Sequence, residues 1–412
     1  MNANDVRIIR ELAGRVAAVA ALDVQEQKRG LWRRLNGLDP VRPMVMMDQI
    51  CWNELAGCAG LELQCGDAEC RTYEQQLRRT LYQWEHFPVD MVVEPFLDVP
   101  MAVINTRFGM QVQEDTVVGD PTNSVVAHKY KNQFRSEEDI EKIRMATVLH
   151  DEAETARRLA LAHALFDGLL EVRLRGYDPG YMTLWDPLSM WMGVENAFYA
   201  LVDTPALIHR ILARMTDCVL DMLDQLESKG LLCGPQQMIH CTGAYTDGLP
   251  APGFDPARPR VKDLWMFGMA QMFSTVSPDM FKEFEIDYAR RICERFGMVY
   301  YGCCEPLDGK MNEVRMLPNV RKISMSPWVD QERGAREIGG DYVFSRKPSP
   351  ALIATDVFHP AAVREDLEAT RRICEKHGCG LELILKDVST IRYEPWRLDK
   401  WASVAMEVVG AR

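Results

Sequence analysis

Met298-Val-Tyr-Tyr-Gly-Cys-Cys-Glu-Pro-Leu307 reads as a short buried strand that stops at Gly302 and delivers Cys303, Cys304 and Glu305 to a strand end. Pro306 has no backbone donor for a ladder, so the strand cannot run on and a turn opens there. Two adjacent thiols and a carboxylate are costly to bury unless something uses them. Three similar apolar runs come after it at 320–328, 341–348 and 381–387, separated by helical segments at 331–338 and 360–377. Strand–helix–strand alternation at this spacing predicts parallel strands joined by right-handed crossovers.

Each of those strands ends in polar residues: Ser326 and Trp328, then Ser345, Arg346 and Lys347, then Lys386 and Asp387. Upstream, 44–47 is a first strand ending in Asp48 and Gln49, and 89–96 a second with Glu94 at its end. Further strand-like runs lie at 169–174, at 181–184 before Trp185 and Asp186, and at 238–241, which carries His240 and Cys241. Helical patterning is read at 71–87, 151–167, 189–202, 204–228 and 278–296, with another helix opening at Ser136. The expected fold is α/β, a (β/α)8 TIM barrel whose carboxyl strand ends form one active-site face. Residues 1–39 are expected as a helical extension that caps a barrel end or joins a homodimer contact, and 40–412 as the barrel. Within it, 98–135 breaks into short alternating runs (101–104, 117–118, 125–127) and is expected as a β-rich insertion or lid.

Composition narrows the function classes. The chain has 412 residues, 47% hydrophobic and 26% charged, ordinary for a globular protein. A net charge of −12 argues against a nucleic-acid partner, which needs a basic stripe. No apolar run approaches the roughly 18 residues of a membrane span, and the N-terminus lacks a signal-peptide core, so the expectation is a cytoplasmic protein. In that setting the 12 cysteines are expected as free thiols or metal ligands, most at ease in an anaerobic or strongly reducing cytoplasm.

Three constellations could carry chemistry. His240, Cys241, Cys303, Cys304 and Glu305 are donors that zinc accepts, although free cysteine is commonly a small buried hydrophobe. Asp48, Glu94, Asp98, Asp186 and Glu305 are carboxylates at strand ends; each is a candidate acid, base or oxygen ligand, or else a helix cap or ion-pair partner. Ser345, Arg346 and Lys347 with Lys386 suit an anionic group, with alternate residues facing outward. Trp185, Trp265, Trp328, Phe267 and Tyr245 offer aromatic surface for a flat substrate, or core packing.

The blocks Met238-Ile-His-Cys241, Tyr300-Tyr-Gly-Cys-Cys-Glu-Pro-Leu307, Arg321-Lys-Ile-Ser-Met-Ser-Pro-Trp328, Val343-Phe-Ser-Arg-Lys-Pro-Ser-Pro350 and Ile384-Leu-Lys-Asp-Val-Ser-Thr390 resemble a branch of the uroporphyrinogen decarboxylase superfamily, over roughly residues 30–410. The resemblance implies a (β/α)8 barrel and, in the corrinoid-dependent methyltransferase branch, Zn2+ held by a histidine and cysteines. Residue by residue this points to His240 with Cys303 or Cys304 as metal ligands, Cys241 taking no clear place because the family's His-x-Cys spacer is missing. Glu305 replaces it as a ligand or acts as an acid. The decarboxylase branch carries an arginine-rich segment after the first strand, where this chain has Asp48-Gln-Ile-Cys-Trp52. The implied function is therefore a substrate:corrinoid methyltransferase that demethylates a small methyl ether, such as a methoxylated aromatic, or a methylamine, and hands the methyl to a corrinoid-binding partner protein. Glu305, Asp48 and Glu94 are the catalytic candidates, and Trp185, Asp186, Trp328, Arg346, Lys347 and Lys386 the substrate-binding ones. Two alternatives stay open, a decarboxylase of another acid using Arg346, Lys347 and Lys386, and a non-catalytic tetrapyrrole or small-molecule binding protein.

Overall fold

The computed structural model describes residues 2–119, 121 and 126–410. Eight strands organise it: β1 (Met44–Met47), β2 (Phe96–Pro100), β3 (Glu171–Arg175), β4 (Trp265–Gly268), β5 (Met298–Tyr301), β6 (Val320–Met325), β7 (Val343–Arg346) and β8 (Gly380–Leu385). Six of them form one wholly parallel sheet in the order β1-β8-β7-β6-β5-β4. Strands β1 and β8 are buried at every residue, as expected of strands covered on both faces. Helices Gln331–Ile338 and Pro360–His377 make the crossovers between β6, β7 and β8, matching the spans read from sequence.

Strands β2 and β3 pair in parallel as a separate two-stranded sheet, Phe96 opposite Glu171 through Pro100 opposite Arg175. Among the described residues, the six-stranded ladder continues beyond β4 only as isolated parallel bridges, Tyr181 to Phe267 and Tyr177 to Leu232. Beyond β1, the Asp90 N–H donates to the Val45 carbonyl at 3.0 Å. The fold is thus mixed α/β around a parallel sheet, with contacts rather than full strands at both of its edges.

Several expected elements move. The second strand begins at Phe96, not residue 89, because Val89 is left-handed (φ 37°) and the Asp90 carboxylate is taken by Arg42 (2.6 Å) and the Val45 N–H (2.8 Å). Instead of a strand at 181–184, the chain makes one bridge at Tyr181 and enters helix Trp185–Met192, which is broken from Val194–Asp203 by Gly193. Strand β4 was not expected at all. The expected helix at 278–296 carries a π-helical turn, Lys282–Ile286. Within residues 98–135, Glu114–Val117 pairs antiparallel with Ala127–Tyr130, whereas Val103–Asn105 pairs with Val148–His150 beyond that span and residues 98–100 belong to β2. Val125 of the expected 125–127 run lies outside the described residues.

The N-terminal helices Ala3–Ala20 and Asp23–Asn36 pack on the chain itself, the first along Ala68–His86. The second sends Trp32 inward, its indole N–H donating to the Asp90 carbonyl (2.9 Å). Its ring lies 5.1 Å from the Lys322 ammonium. Lys322 on β6 and Glu382 on β8 form an ion pair of 2.7 Å with both side chains fully buried. The same Glu382 oxygen accepts from Thr242 Oγ1 (2.7 Å), and Lys322 also donates to Thr242 and the Gly243 carbonyl (3.1 Å each). Among the described residues no helix is long and apolar enough to cross a membrane.

Candidate active site

Strand β5 ends where the sequence says it must. Gly302 has φ 95°, and a Cβ there would stand 2.4 Å from Leu307 Cδ1. Only glycine permits that turn, and it swings Cys303 and Cys304 toward the carboxyl ends of the strands. The Glu305 carboxylate folds back instead, accepting from the Ala270 N–H and the Cys303 N–H (3.0 Å each). It is fully buried, and burial pushes its pKa up to about 7. Its place is therefore beneath the turn, bracing it.

His240 arrives on a hairpin rather than a strand end. Met238–Ile239 pairs antiparallel with Thr242–Gly243, leaving His240 (φ 33°) and Cys241 (φ 65°) as a two-residue left-handed turn. Such turns favour asparagine and glycine, so a histidine–cysteine pair stores backbone strain of about 1–3 kcal/mol per residue. The hairpin spans β8: Thr242 meets Glu382, while the His240 ring reaches Lys386. That ring stacks on Phe267 of β4 at 3.8 Å and 15°. Cys241 turns away to Asp48, and burial pushes its thiol up.

Three groups then converge. Lys386 Nζ donates to His240 Nε2 at 3.1 Å and to Cys303 Sγ at 3.3 Å, and those two acceptors are 3.8 Å apart. Cys304 Sγ lies 3.6 Å from Cys303 Sγ. The Cys304 S–H, His240 and the Lys386 charge together hold the Cys303 thiol well below its ordinary range, against burial, while Cys304 is pushed up by its neighbour. Burial lowers the His240 imidazole and the Lys386 charge adds to this, against the Cys303 sulfur, which raises it. Desolvation works against the Lys386 charge, but the Cys303 charge outweighs it and raises the ammonium, which also pairs with Asp387 (3.2 Å).

Beneath this cluster Lys347 donates to Ser345 Oγ (2.8 Å) and to Tyr300 OH, and burial pushes it down to about 8. Beside it, Asp186 accepts from Tyr181 OH (3.0 Å) and Gln271 Nε2 (3.1 Å), and burial raises its pKa. Tyr181 and Asp186 also line a cavity of about 360 Å³, walled by Phe108, Met110, Trp191 and Met222. Phe108 and Met110 belong to the β-rich excursion, which therefore covers one side of that space.

Other expected site residues lie elsewhere. Glu94 precedes β2 instead of ending a strand, and is held by Arg29 (2.8 Å) and Tyr245 OH. Asp98 pairs with Arg173 and Arg175 inside the β2–β3 sheet. Trp185 is fully buried, donating to the Phe284 carbonyl (3.0 Å), so its face is core rather than substrate surface. Arg346 is turned into the chain, donating to the carbonyls of Ser326 (2.9 Å) and Lys347 (2.7 Å), which removes it from any carboxylate clamp at the mouth. Trp328 stands on the loop after β6, 76% exposed.

A zinc ion requires its donors to close on one point at about 2.0–2.3 Å. Here the Lys386 ammonium lies against both the imidazole nitrogen and the Cys303 sulfur, the lone pairs a metal would use. Glu305 has committed both oxygens to backbone N–H groups, and Cys241 faces Asp48. Among the described residues, no group of three or more His, Cys, Asp or Glu side chains is arranged to hold a metal ion. The side chains as placed do not fit zinc; the cation beside the sulfur is a lysine.

Sequence reasoning passed over Glu285, in the π-helical turn. Its Oε1 accepts from Tyr301 OH (2.9 Å), while Oε2 is buried without a partner. Burial pushes its pKa up to about 8. A carboxyl raised in the fold is neutral there, whereas the unfolded chain ionises near 4.5, so stability is full below that value and is lost as pH rises through about 8. Glu285→Gln is expected to match the wild type near pH 4.5 and to exceed it by about 5 kcal/mol at pH 9 in urea unfolding. An offset that stays flat across that range would mean Glu285 ionises normally.

No protein-family profile matches the chain, and no curated protein does. Among solved structures, a methyltransferase from Methanosarcina mazei matches 92% of this chain and 97% of its own, with a TM-score of 0.50 and 10% sequence identity. At that identity the likeness is one of fold: the chain is built like that methyltransferase over almost its whole length.

Proposed function

We propose that the chain is a methyltransferase, built on a closed (β/α)8 barrel, that demethylates a small methyl ether and passes the methyl to a corrinoid carried by a partner protein. The observation that carries the reading is the meeting of Lys386 Nζ with His240 Nε2 and Cys303 Sγ at the carboxyl ends of β5 and β8. The fold shared with a methyltransferase and the resemblance of the strand-end blocks support it.

The cavity beside Tyr181 and Asp186 would seat the part of the substrate that does not react. Cleaving a methyl ether sends the bonding electron pair to oxygen, and that oxygen needs positive charge and then a proton. Lys386, pinned by Cys303 and His240, supplies the charge from a fixed position, and preorganised charge dominates the rate enhancement of many active sites. Asp186, kept protonated more readily by burial and oriented by Tyr181 and Gln271, supplies the proton. A reduced corrinoid, when its carrier docks, supplies the nucleophile for the methyl carbon. Exposed Trp328 stands on the face that such a carrier must approach.

The test mixes the purified chain with methyl ethers and methylamines and a reduced corrinoid, and records the corrinoid spectrum over time. Cys303→Ala and His240→Ala are expected to slow transfer by about 10²-fold while leaving circular dichroism unchanged. Full-rate transfer in Cys303→Ala removes the cluster from the chemistry. Release of carbon dioxide from an acid, with no methyl transfer, would establish the decarboxylase instead.

A further inference from the structure

Cys303 and Cys304 are adjacent in sequence, and their sulfurs lie 3.6 Å apart at the strand-end face. The two thiols are not equivalent. Cys303 is 5% exposed and receives an N–H from the Lys386 ammonium, whereas Cys304 is half-buried and reaches solvent. Eight of the other cysteines are buried; one of them, Cys374, lies beside the half-buried Cys379, but among the described residues neither Cys379 nor the half-buried Cys58 has a cation donating to its sulfur. An ammonium 3.3 Å from one sulfur stabilises the negative charge that develops as peroxide is cleaved there, and a second thiol within reach diverts the oxidised sulfur into a disulfide.

We propose that Cys303 and Cys304 are a peroxide-reactive pair: Cys303 takes the first oxygen, and Cys304 resolves it to a vicinal disulfide. In the first step the Cys303 sulfur attacks hydrogen peroxide. An S–O bond forms, the O–O bond breaks, and the departing hydroxide leaves as water after gaining a proton. In the second, the Cys304 thiol attacks that sulfur, an S–S bond forms, the S–O bond breaks, and a second water leaves. Two thiols are oxidised by two electrons, and one peroxide is reduced to two waters. Neighbouring Cα atoms stand about 3.8 Å apart, closer than the roughly 4.4–6.8 Å of ordinary disulfides, so this bond is strained and easily reduced. Its formation withdraws the acceptor that Lys386 uses and so switches off the site; that consequence rests on the proposed methyl transfer, whereas the modification does not.

The experiment treats the full-length protein with low hydrogen peroxide, alkylates it after unfolding, and maps the cysteines by mass spectrometry. Expected is a peptide carrying both Cys303 and Cys304, lighter by two hydrogens, refractory to alkylation and restored by dithiothreitol, formed well before oxidation of Cys58 or Cys379. In Cys304→Ser, dimedone should trap a sulfenic acid on Cys303, and in Lys386→Met oxidation of the pair should slow at least tenfold. Free alkylation of both residues after Cys58 has oxidised overturns the proposal, and so does a first oxygen found on Cys304. Oxidation as described, in a protein with no methyl transfer before or after reduction, would sink the proposed function and leave the thiol pair standing.

Discussion

Replacing Lys386 with methionine is expected to lower methyl transfer by about 10²–10³-fold, or about 2.7–4 kcal/mol of barrier. Methionine keeps much of the aliphatic stem that fills the space, so the loss isolates the charge. The ammonium is held by two acceptors, His240 Nε2 at 3.1 Å and Cys303 Sγ at 3.3 Å, with only 4% of the residue exposed. Little reorganisation is then needed when an oxygen becomes negative beside it. The same substitution leaves the Cys303 sulfur without its cation, so its alkylation by iodoacetamide at neutral pH should slow in parallel. Steady-state rates and alkylation rates measured on the same preparation check both. If chelation by EDTA abolishes wild-type activity while Lys386→Met stays near full rate, a metal and not the lysine is the cation, and the reading of the cluster fails.

The second large effect is on stability. Lys322→Met is expected to destabilise the protein by about 3–5 kcal/mol, because it strands the Glu382 carboxylate in a fully buried position. Lys347 is near enough to lend Glu382 some charge, yet its own ammonium is committed to Ser345 and Tyr300. The double variant Lys322→Met with Glu382→Leu should recover most of the loss, since two apolar side chains leave no uncompensated charge. Equilibrium urea unfolding of the four proteins in the cycle measures this. A single variant within about 0.5 kcal/mol of wild type would show that the pair is not load-sharing in the fold.

Legibility in the sequence divides by how local the signal is. Strands β5 to β8 and the helices between β6, β7 and β8 were legible because short apolar-rich runs bounded by Gly, Pro or charge alternate there with helical spacing. The grouping of Cys303 with His240 came from reading polar strand ends as facing one way. The hairpin that carries His240 did not: a His-Cys turn with both residues left-handed has none of the Asn-Gly chemistry that announces such turns. Strand β4 escaped because Trp265 and Phe267 read as loop aromatics. Glu94 was misplaced because the strand begins at Phe96 rather than 89, which moves it from a strand end to an ion pair with Arg29 ahead of the strand. The pairing of Lys386 with the imidazole could not be seen either, because alternation along a strand says which face a side chain takes and not which distant group meets it.

The pairing of β1 with β8 bears on how the protein is made. Strand β1 is made long before β8, its neighbour in the sheet. At synthesis rates of about 5–20 residues per second, Met44–Met47 waits on the order of 20–70 s before that edge is covered. During this interval four consecutive apolar residues have one side of their backbone unpaired, an edge open to pairing with another chain.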